Sequence, residues 1–204
     1  DLAAAQRHLD RTEAVEDPQH TAMLALRGRA PRVVHRAFSA WTHWLMGYPD
    51  QARRLGQEGI DLARAADHPP SLAMALLVGG IIPSLLCRDY DALPPHMETF
   101  DALASQHKLG LTEGGVQVAR GRWLVHTGET QAGFDAMEEG LAVWEGTGTR
   151  VWRSLYLMLT VDARIEAEAW DEASDALDRA LAFVAETGER IVEPELMRLR
   201  GCLL

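Results

Sequence analysis

Gly128-Glu129-Thr130-Gln131-Ala132-Gly133, continued by Met137 and Gly140-Leu141-Ala142-Val143-Trp144, is the stretch on which the fold turns. The same pattern returns elsewhere. Gly47-Tyr48-Pro49-Asp50-Gln51-Ala52 precedes Gly59-Ile60-Asp61-Leu62, and Glu168 through Ala173 precedes Ala180-Leu181-Ala182-Phe183. A weaker copy runs through Arg88, Tyr90 and Leu93 to Phe100. Measured from Gly47 to Arg88, Gly128 and Glu168, the steps are 41, 40 and 40 residues. A repeat of that length in a helix-forming sequence predicts a solenoid of helix pairs.

The matched positions explain one another. Ala52, Gly133 and Ala173 fall in register, as do Gly59, Gly140 and Ala180. Seven residues are about two helical turns, so each pair shares one face. Small side chains there let the two helices of a repeat approach closely. Met97, Met137 and Leu177 stand between them as core residues. Ala40, Gly121 and Gly201 form a third small set on the first helices, and Tyr90 and Trp170 match as plugs near the turn. On this reading Gly140→Leu destabilises, whereas Gly140→Ala is neutral.

Working outward gives one repeat domain over 1–204, with repeats at 32–68, 69–108, 109–148 and 149–188, a partial one at 189–204, and an irregular lead-in over 1–31. The lead-in holds a short helix over 1–16. Asp17-Pro18 signals a second, running to about Arg27, and Gly28-Arg29-Ala30-Pro31 ends it. The repeats predict helices at Val33–Leu45 and Pro49–Asp67, Ser71–Cys87 and Tyr90–His107, Leu111–His126 and Glu129–Trp144, and Val151–Glu166 and Trp170–Glu186. A last one starts near Ile191. Pro83 lies inside its helix and predicts a kink. Gly146-Thr147-Gly148 and Thr187-Gly188 close second helices, as glycine does past a helix end.

Composition agrees. The chain has 204 residues, 47% of them hydrophobic and 25% charged, as folded proteins do. Alanine and leucine dominate and no alternating strand pattern occurs. The net charge of −10 leaves no basic field for nucleic acid or an anionic membrane, although Arg27, Arg29, Arg32 and Arg36 cluster locally. Cys87 and Cys202 are too few for a disulfide framework and fit a cytoplasmic setting. No apolar run of transmembrane length is expected. The opening on Asp1 and the stop at Cys202-Leu203-Leu204 inside a helical pattern read as a segment of a larger protein.

These motifs resemble the tetratricopeptide repeats, in their longer variant of roughly 40 residues. Trp44-Leu45-Met46-Gly47-Tyr48-Pro49-Asp50-Gln51-Ala52, His68-Pro69-Pro70-Ser71-Leu72-Ala73, and Gly188-Glu189-Arg190 with Glu195-Leu196-Met197-Arg198-Leu199-Arg200-Gly201 resemble one bacterial set. In that set the repeats follow a predicted ATPase module, often with a class III adenylate/guanylate cyclase or transcriptional-regulator domain. The resemblance covers about 17–204 and implies an all-α right-handed superhelix of about four and a half antiparallel helix pairs. The second repeat departs from the consensus at Arg88, Leu93 and Phe100, which predicts irregularity over 88–100. The chain itself has neither a Walker-type loop nor a cyclase carboxylate motif.

Chemistry-bearing clusters are weak. His35 and His43 share a helix face without a third ligand, and Cys87 and His96 straddle a turn, so no metal site is expected. His126 is expected to cap its helix C-terminus. Glu138, Glu139 and Asp135, and the acidic run from Glu166 to Asp175, read as solvated faces. Ser71, Ser154 and Ser174 carry no nucleophile motif, and Gly110, Gly114 and Gly115 form no phosphate loop. No catalytic residue and no cofactor are expected. By the resemblance, first helices line a groove that binds a peptide or another domain. The matching positions are Trp41, Ile82, Arg122 and Asp162, with Arg36, Arg120, Arg153 and Tyr156 as neighbours. Aromatic residues and arginine make good interface anchors. The expectation is a non-catalytic protein- or peptide-binding regulatory module, whose partner is a separate protein or peptide or a domain of the same full-length chain. The alternatives are an effector-sensing domain controlling an attached ATPase or cyclase, and a self-association module forming a homo-oligomer.

Overall fold

The computed structural model describes residues 2–13 and 30–204. The expected helix from Asp17 to Arg27 lies outside them, as do Arg27 and Arg29. Among the described residues every regular element is helical and none is a strand. Two compact units form, Asp1–Thr112 and Glu113–Leu204, where the sequence reading drew one domain. The first holds α1 (Leu2–Glu13), α2 (Pro31–Leu45), α3 (Pro49–Ala65), a composite run of α4 (Pro69–Met74), a π-helical stretch (Ala75–Ile81) and α5 (Ile82–Leu86), then α6 (Leu93–Ala104). The boundary falls in the first turn of α7 (Leu111–His126). The second unit continues with α8 (Thr130–Gly146), α9 (Arg153–Glu166), α10 (Trp170–Thr187) and α11 (Glu193–Cys202).

Proline opens α2, α3 and α4, where a missing N–H costs no intrahelical bond. At the third, the His68 ring nitrogen accepts from the Ser71 N–H, and the Ser71 hydroxyl oxygen accepts the Ala30 N–H at 2.7 Å. A side chain from one repeat thus satisfies the backbone leading into the previous one.

One kind of turn is made at four places. Gly47, Arg88, Gly128 and Glu168 have φ of 87°, 55°, 94° and 57°. Each is followed by a residue whose N–H reaches back five positions: Tyr48 to His43, Asp89 to Ser84, Glu129 to Leu124 and Ala169 to Arg164, all at 2.9 Å. This is the Schellman closure of a helix. Arg88 and Glu168 adopt the left-handed conformation without being glycine, at about 1–2 kcal/mol each. The departure of Arg88 from the glycine consensus therefore does not disturb the turn.

The small residues do meet backbone. A Cβ on Gly140 would stand 2.7 Å from the Gly114 carbonyl oxygen and 2.7 Å from the Val118 nitrogen, and one on Gly121 would stand 2.4 Å from the Gly133 carbonyl oxygen. Alanine at 140 is thus not neutral in space, contrary to expectation. Ala40, Ala52, Ala173 and Ala180 are wholly buried, and a Cβ on Gly59 would stand 3.1 Å from the Arg36 Cβ. Two members of the sets behave differently. Gly201 is exposed, because no described element packs on that turn. Trp170 is 51% exposed at the start of α10, whereas its match Tyr90 is 8% exposed in a 3-10 turn ahead of α6.

The irregular repeat has a specific form. Pro83 offers no N–H to the Gly79 carbonyl, and in place of a simple kink the chain widens into the π-helical stretch ahead of it, ending with the Ile82 N–H on the Leu77 carbonyl. Gly79 there touches Gly56 of α3 so closely that a Cβ on Gly56 would lie 1.9 Å from its oxygen. Gly56 stands in register with Met97, Met137 and Leu177, and is glycine because a carbonyl occupies the place of a side chain. The run Pro69–Leu86 has 18 residues and a mean hydropathy of 1.7, long and apolar enough to cross a membrane by length and composition, contrary to the sequence reading. It is 78% buried within the fold, as a core helix is.

Candidate functional site: a cleft lined by arginine and glutamate

The positions expected to line a groove turn out to differ in kind. Trp41, Ile82, Arg122 and Tyr156 are 6%, 1%, 0% and 1% exposed, and Asp162 is 9% exposed. They are interior residues. Trp41 packs near Trp44, and Tyr156 meets the Trp144 ring edge-on at 4.8 Å. Arg36 and Arg120 are half-buried, and Arg36 pairs with Glu58 at 3.3 Å. The physical reason is coverage. Forty residues bring round an equivalent position, but the side of the helix that the next pair covers is set by packing.

Arg122 and Asp162, named from equivalent positions in successive repeats, come together. The Arg122 Nε and Nη2 donate to Asp162 Oδ2 at 2.9 and 2.7 Å, and Nη2 also pairs with Glu166. A wholly buried guanidinium needs such partners, since desolvating it alone costs far more than any single hydrogen bond returns. His126 Nδ1 lies 2.9 Å from Glu166 Oε1, so this histidine, in the last turn of its helix, joins the network. Burial by itself would raise the Glu166 pKa. Hydrogen bonds from His126 and Arg122, with their charges, outweigh it and hold the carboxyl below its ordinary value. Arg198 of α11 stands 3.9 Å from Asp162. This network is a structural joint within the second unit, and its buried side faces no solvent.

An accessible cleft of ≈ 410 Å³ lies between α8, α9 and α10. Three helical stripes make it. Arg153, Leu157, Thr160 and Arg164 recur at spacings of four and three along α9. Glu138, Leu141 and Glu145 do the same on α8, and Arg179, Phe183 and Glu186 face them from α10. Leucine, alanine and phenylalanine give an apolar floor, with arginine and glutamate at its edges. Both second helices contribute, where the sequence reading placed the groove on first helices. Of the eight groove residues named from the sequence, Arg153 alone lines this cleft.

The electrostatics are graded by depth. Arg153 donates from Nε to Glu145 at 2.8 Å and lies over the Phe183 ring at 4.9 Å. Arg150 covers the same ring at 5.4 Å and pairs with Glu186 at 2.7 Å. Arg164 goes deeper: it is 8% exposed, its guanidinium lies 5.0 Å over Phe134, and its Nη2 reaches Glu138 Oε1 at 3.3 Å. Its Nη1 is buried without a hydrogen-bond partner. Desolvation lowers the Arg164 pKa, Glu138 opposes this, and the like charge of Arg179 adds to the lowering. Arg179 is exposed and forms no ion pair among the described residues.

Arg164, Arg179 and Phe183 escaped the sequence reading as site residues. The stripe Arg153-Leu157-Thr160-Arg164 was legible at helical spacing, but nothing in it said which neighbours would frame it. His35 is buried and His43 faces the Ser39 carbonyl at 2.9 Å. Among the described residues no three His, Cys, Asp or Glu side chains gather as metal ligands. Cys87 is half-buried and Cys202 exposed, both as thiols. No protein-family model and no curated protein matches the chain.

Proposed function

We propose that this chain is a non-catalytic interaction module of tetratricopeptide type, whose stacked helix pairs hold a peptide segment of a partner or of its own longer protein. The solenoid part of the reading is supported by four equal turns and by glycine contacts recurring between paired helices. The binding part rests on one observation, the cleft between α8, α9 and α10. An apolar floor edged by arginine suits an extended segment that alternates apolar and acidic side chains. The acidic balance of the chain as a whole speaks for a protein partner over nucleic acid. A cytoplasmic, regulatory setting belongs to the same proposal and follows from the resemblance.

Panning a random dodecapeptide phage library on the parent chain and on Leu157→Glu tests the reading. Leu157 is half-buried in the floor, and a carboxylate there repels apolar side chains. Peptides enriched on the parent should be lost on the variant while its melting curve stays close to the parent's. Equal enrichment on both would remove the cleft as the binding surface.

A second reading, an effector-sensing domain, has one observation in its favour. The cleft volume of ≈ 410 Å³ lies inside the roughly 300–1,000 Å³ range of small-molecule sites. The same panning separates the two, since a small-molecule site selects no peptide.

A further inference from the structure

The deep end of the cleft is unlike its rim. At the rim each arginine has a carboxylate at close range: Arg153 with Glu145 at 2.6 Å and Arg150 with Glu186 at 2.7 Å. At the deep end two guanidiniums share much less. Arg164 has a single contact of 3.3 Å to Glu138, whose side chain is 67% exposed and therefore well hydrated. The other terminal nitrogen, Nη1, is buried and has no partner. Glu172 also lies within electrostatic reach of Arg164, and Arg179 stands near it with like charge. Phe134 closes the far face of the guanidinium at 5.0 Å. Guanidinium planes accept carboxylates in pairs of parallel bonds, and one hydrated, off-centre glutamate leaves that capacity unused.

We infer that the deep end of this cleft is a carboxylate subsite, in which Arg164 and Arg179 together receive the acidic side chain of a bound peptide and Glu138 occupies the place weakly until it arrives. The inference rests on the cleft being a binding surface and adds the chemistry it selects. Beside the charges, Leu141, Leu157 and Phe183 offer apolar contact, so the carboxylate is one carried on an apolar segment. A glutamate flanked by leucines matches this; a free aliphatic acid carries the same chemistry. Glu138 acts as an internal competitor. Removing its charge therefore strengthens binding, which a merely structural salt bridge would not do.

The test uses two fluorescein-labelled hexapeptides, one with a single glutamate among leucines and alanines and one with glutamine in its place, followed by fluorescence polarisation on the whole chain. The parent should prefer the glutamate peptide about tenfold, the order of one charge-assisted contact. Arg179→Met, at an exposed position, should abolish the preference. Glu138→Gln should widen it several-fold. Glu139→Gln makes the same charge change one residue on, where the carboxylate meets Gln117 at 3.4 Å, and should leave the preference as it is. Titration calorimetry with butyrate and with inorganic phosphate separates the sources. Butyrate should bind weakly in competition with the glutamate peptide, and phosphate should not.

Equal affinity for the two peptides overturns the subsite and leaves the cleft as an apolar peptide surface. A preference that survives Arg179→Met, or one that Glu138→Gln does not enlarge, also overturns it. Phosphate competing as well as butyrate overturns the choice of carboxylate. Butyrate binding with neither peptide bound keeps the subsite for a free acid and overturns the peptide.

Discussion

Gly140→Ala adds one methyl group on the buried face of α8, and Gly146→Ala adds the same group six residues further along the same helix. The intrinsic helix preference for alanine over glycine is about 1 kcal/mol in both cases, somewhat less at the helix end where Gly146 stands. Space decides the difference. At Gly140 the new Cβ lies 2.7 Å from two backbone atoms of α7, the Gly114 oxygen and the Val118 nitrogen, and 2.9 Å from the Val118 side chain. Backbone atoms inside a helix yield only if the whole helix moves. Overpacking of this kind costs about 1–3 kcal/mol, and more where the paired helix must shift as a body. At Gly146 nothing stands within 4 Å. The net expectation is a loss of about 1–2 kcal/mol for Gly140→Ala and a gain of up to about 1 kcal/mol for Gly146→Ala. In a domain of this size each kcal/mol moves the melting temperature by about 2–4 °C. Thermal unfolding followed by circular dichroism at the helix band measures both. If Gly140→Ala melts at or above the parent, or the two variants shift in the same direction, the close approach of α7 and α8 is wrong and the repeat register loses its physical basis.

Three other substitutions read other parts of the fold. Arg122→Ala leaves Asp162 and Glu166 without their guanidinium and should cost about 3–5 kcal/mol in urea unfolding, since breaking a buried pair strands the remaining charge. Gly56→Ala puts a Cβ 1.9 Å from the Gly79 oxygen; its cost should reach or exceed the upper end of about 1–3 kcal/mol, read as a large fall in melting temperature or in soluble yield. Glu166 has a lowered pKa in the folded state, so its contribution is present above its ordinary value of 4.5 and is lost as the pH falls through the lower folded value. Urea unfolding from pH 7 to pH 3 should therefore show a steeper acid limb in the parent than in Glu166→Gln, and identical limbs would remove the carboxylate from the network.

Local chemistry was legible in the sequence. The steps of 41, 40 and 40 residues, the helix spans and the helix-closing turns all depend on residues within a few positions of one another. Leu111–His126 follows its predicted bounds, and the turn at Arg88 matches the one at Gly128 despite the change of residue. Register was legible too: Ala52, Gly133 and Ala173 are all buried, because a period of about seven on a helix is also local.

What the sequence could not decide was which side of each helix another helix would cover. Arg122 and Tyr156 were named as groove candidates and are buried, while Trp170 was named as a plug and is half exposed. A repeat period says that two positions are equivalent, not which neighbour each one meets. Opposite charges at equivalent positions, Arg122 and Asp162, were a hint that they pair. Their bond spans 40 residues and exists only once the helices between them have folded. The cleft is of the same kind. Its three stripes are each written in one helix, but only the packing of α8, α9 and α10 sets arginine beside arginine over an apolar floor. Helices and turns are settled over a few residues of chain; burial and the field inside a cleft depend on all the atoms that exclude water from them.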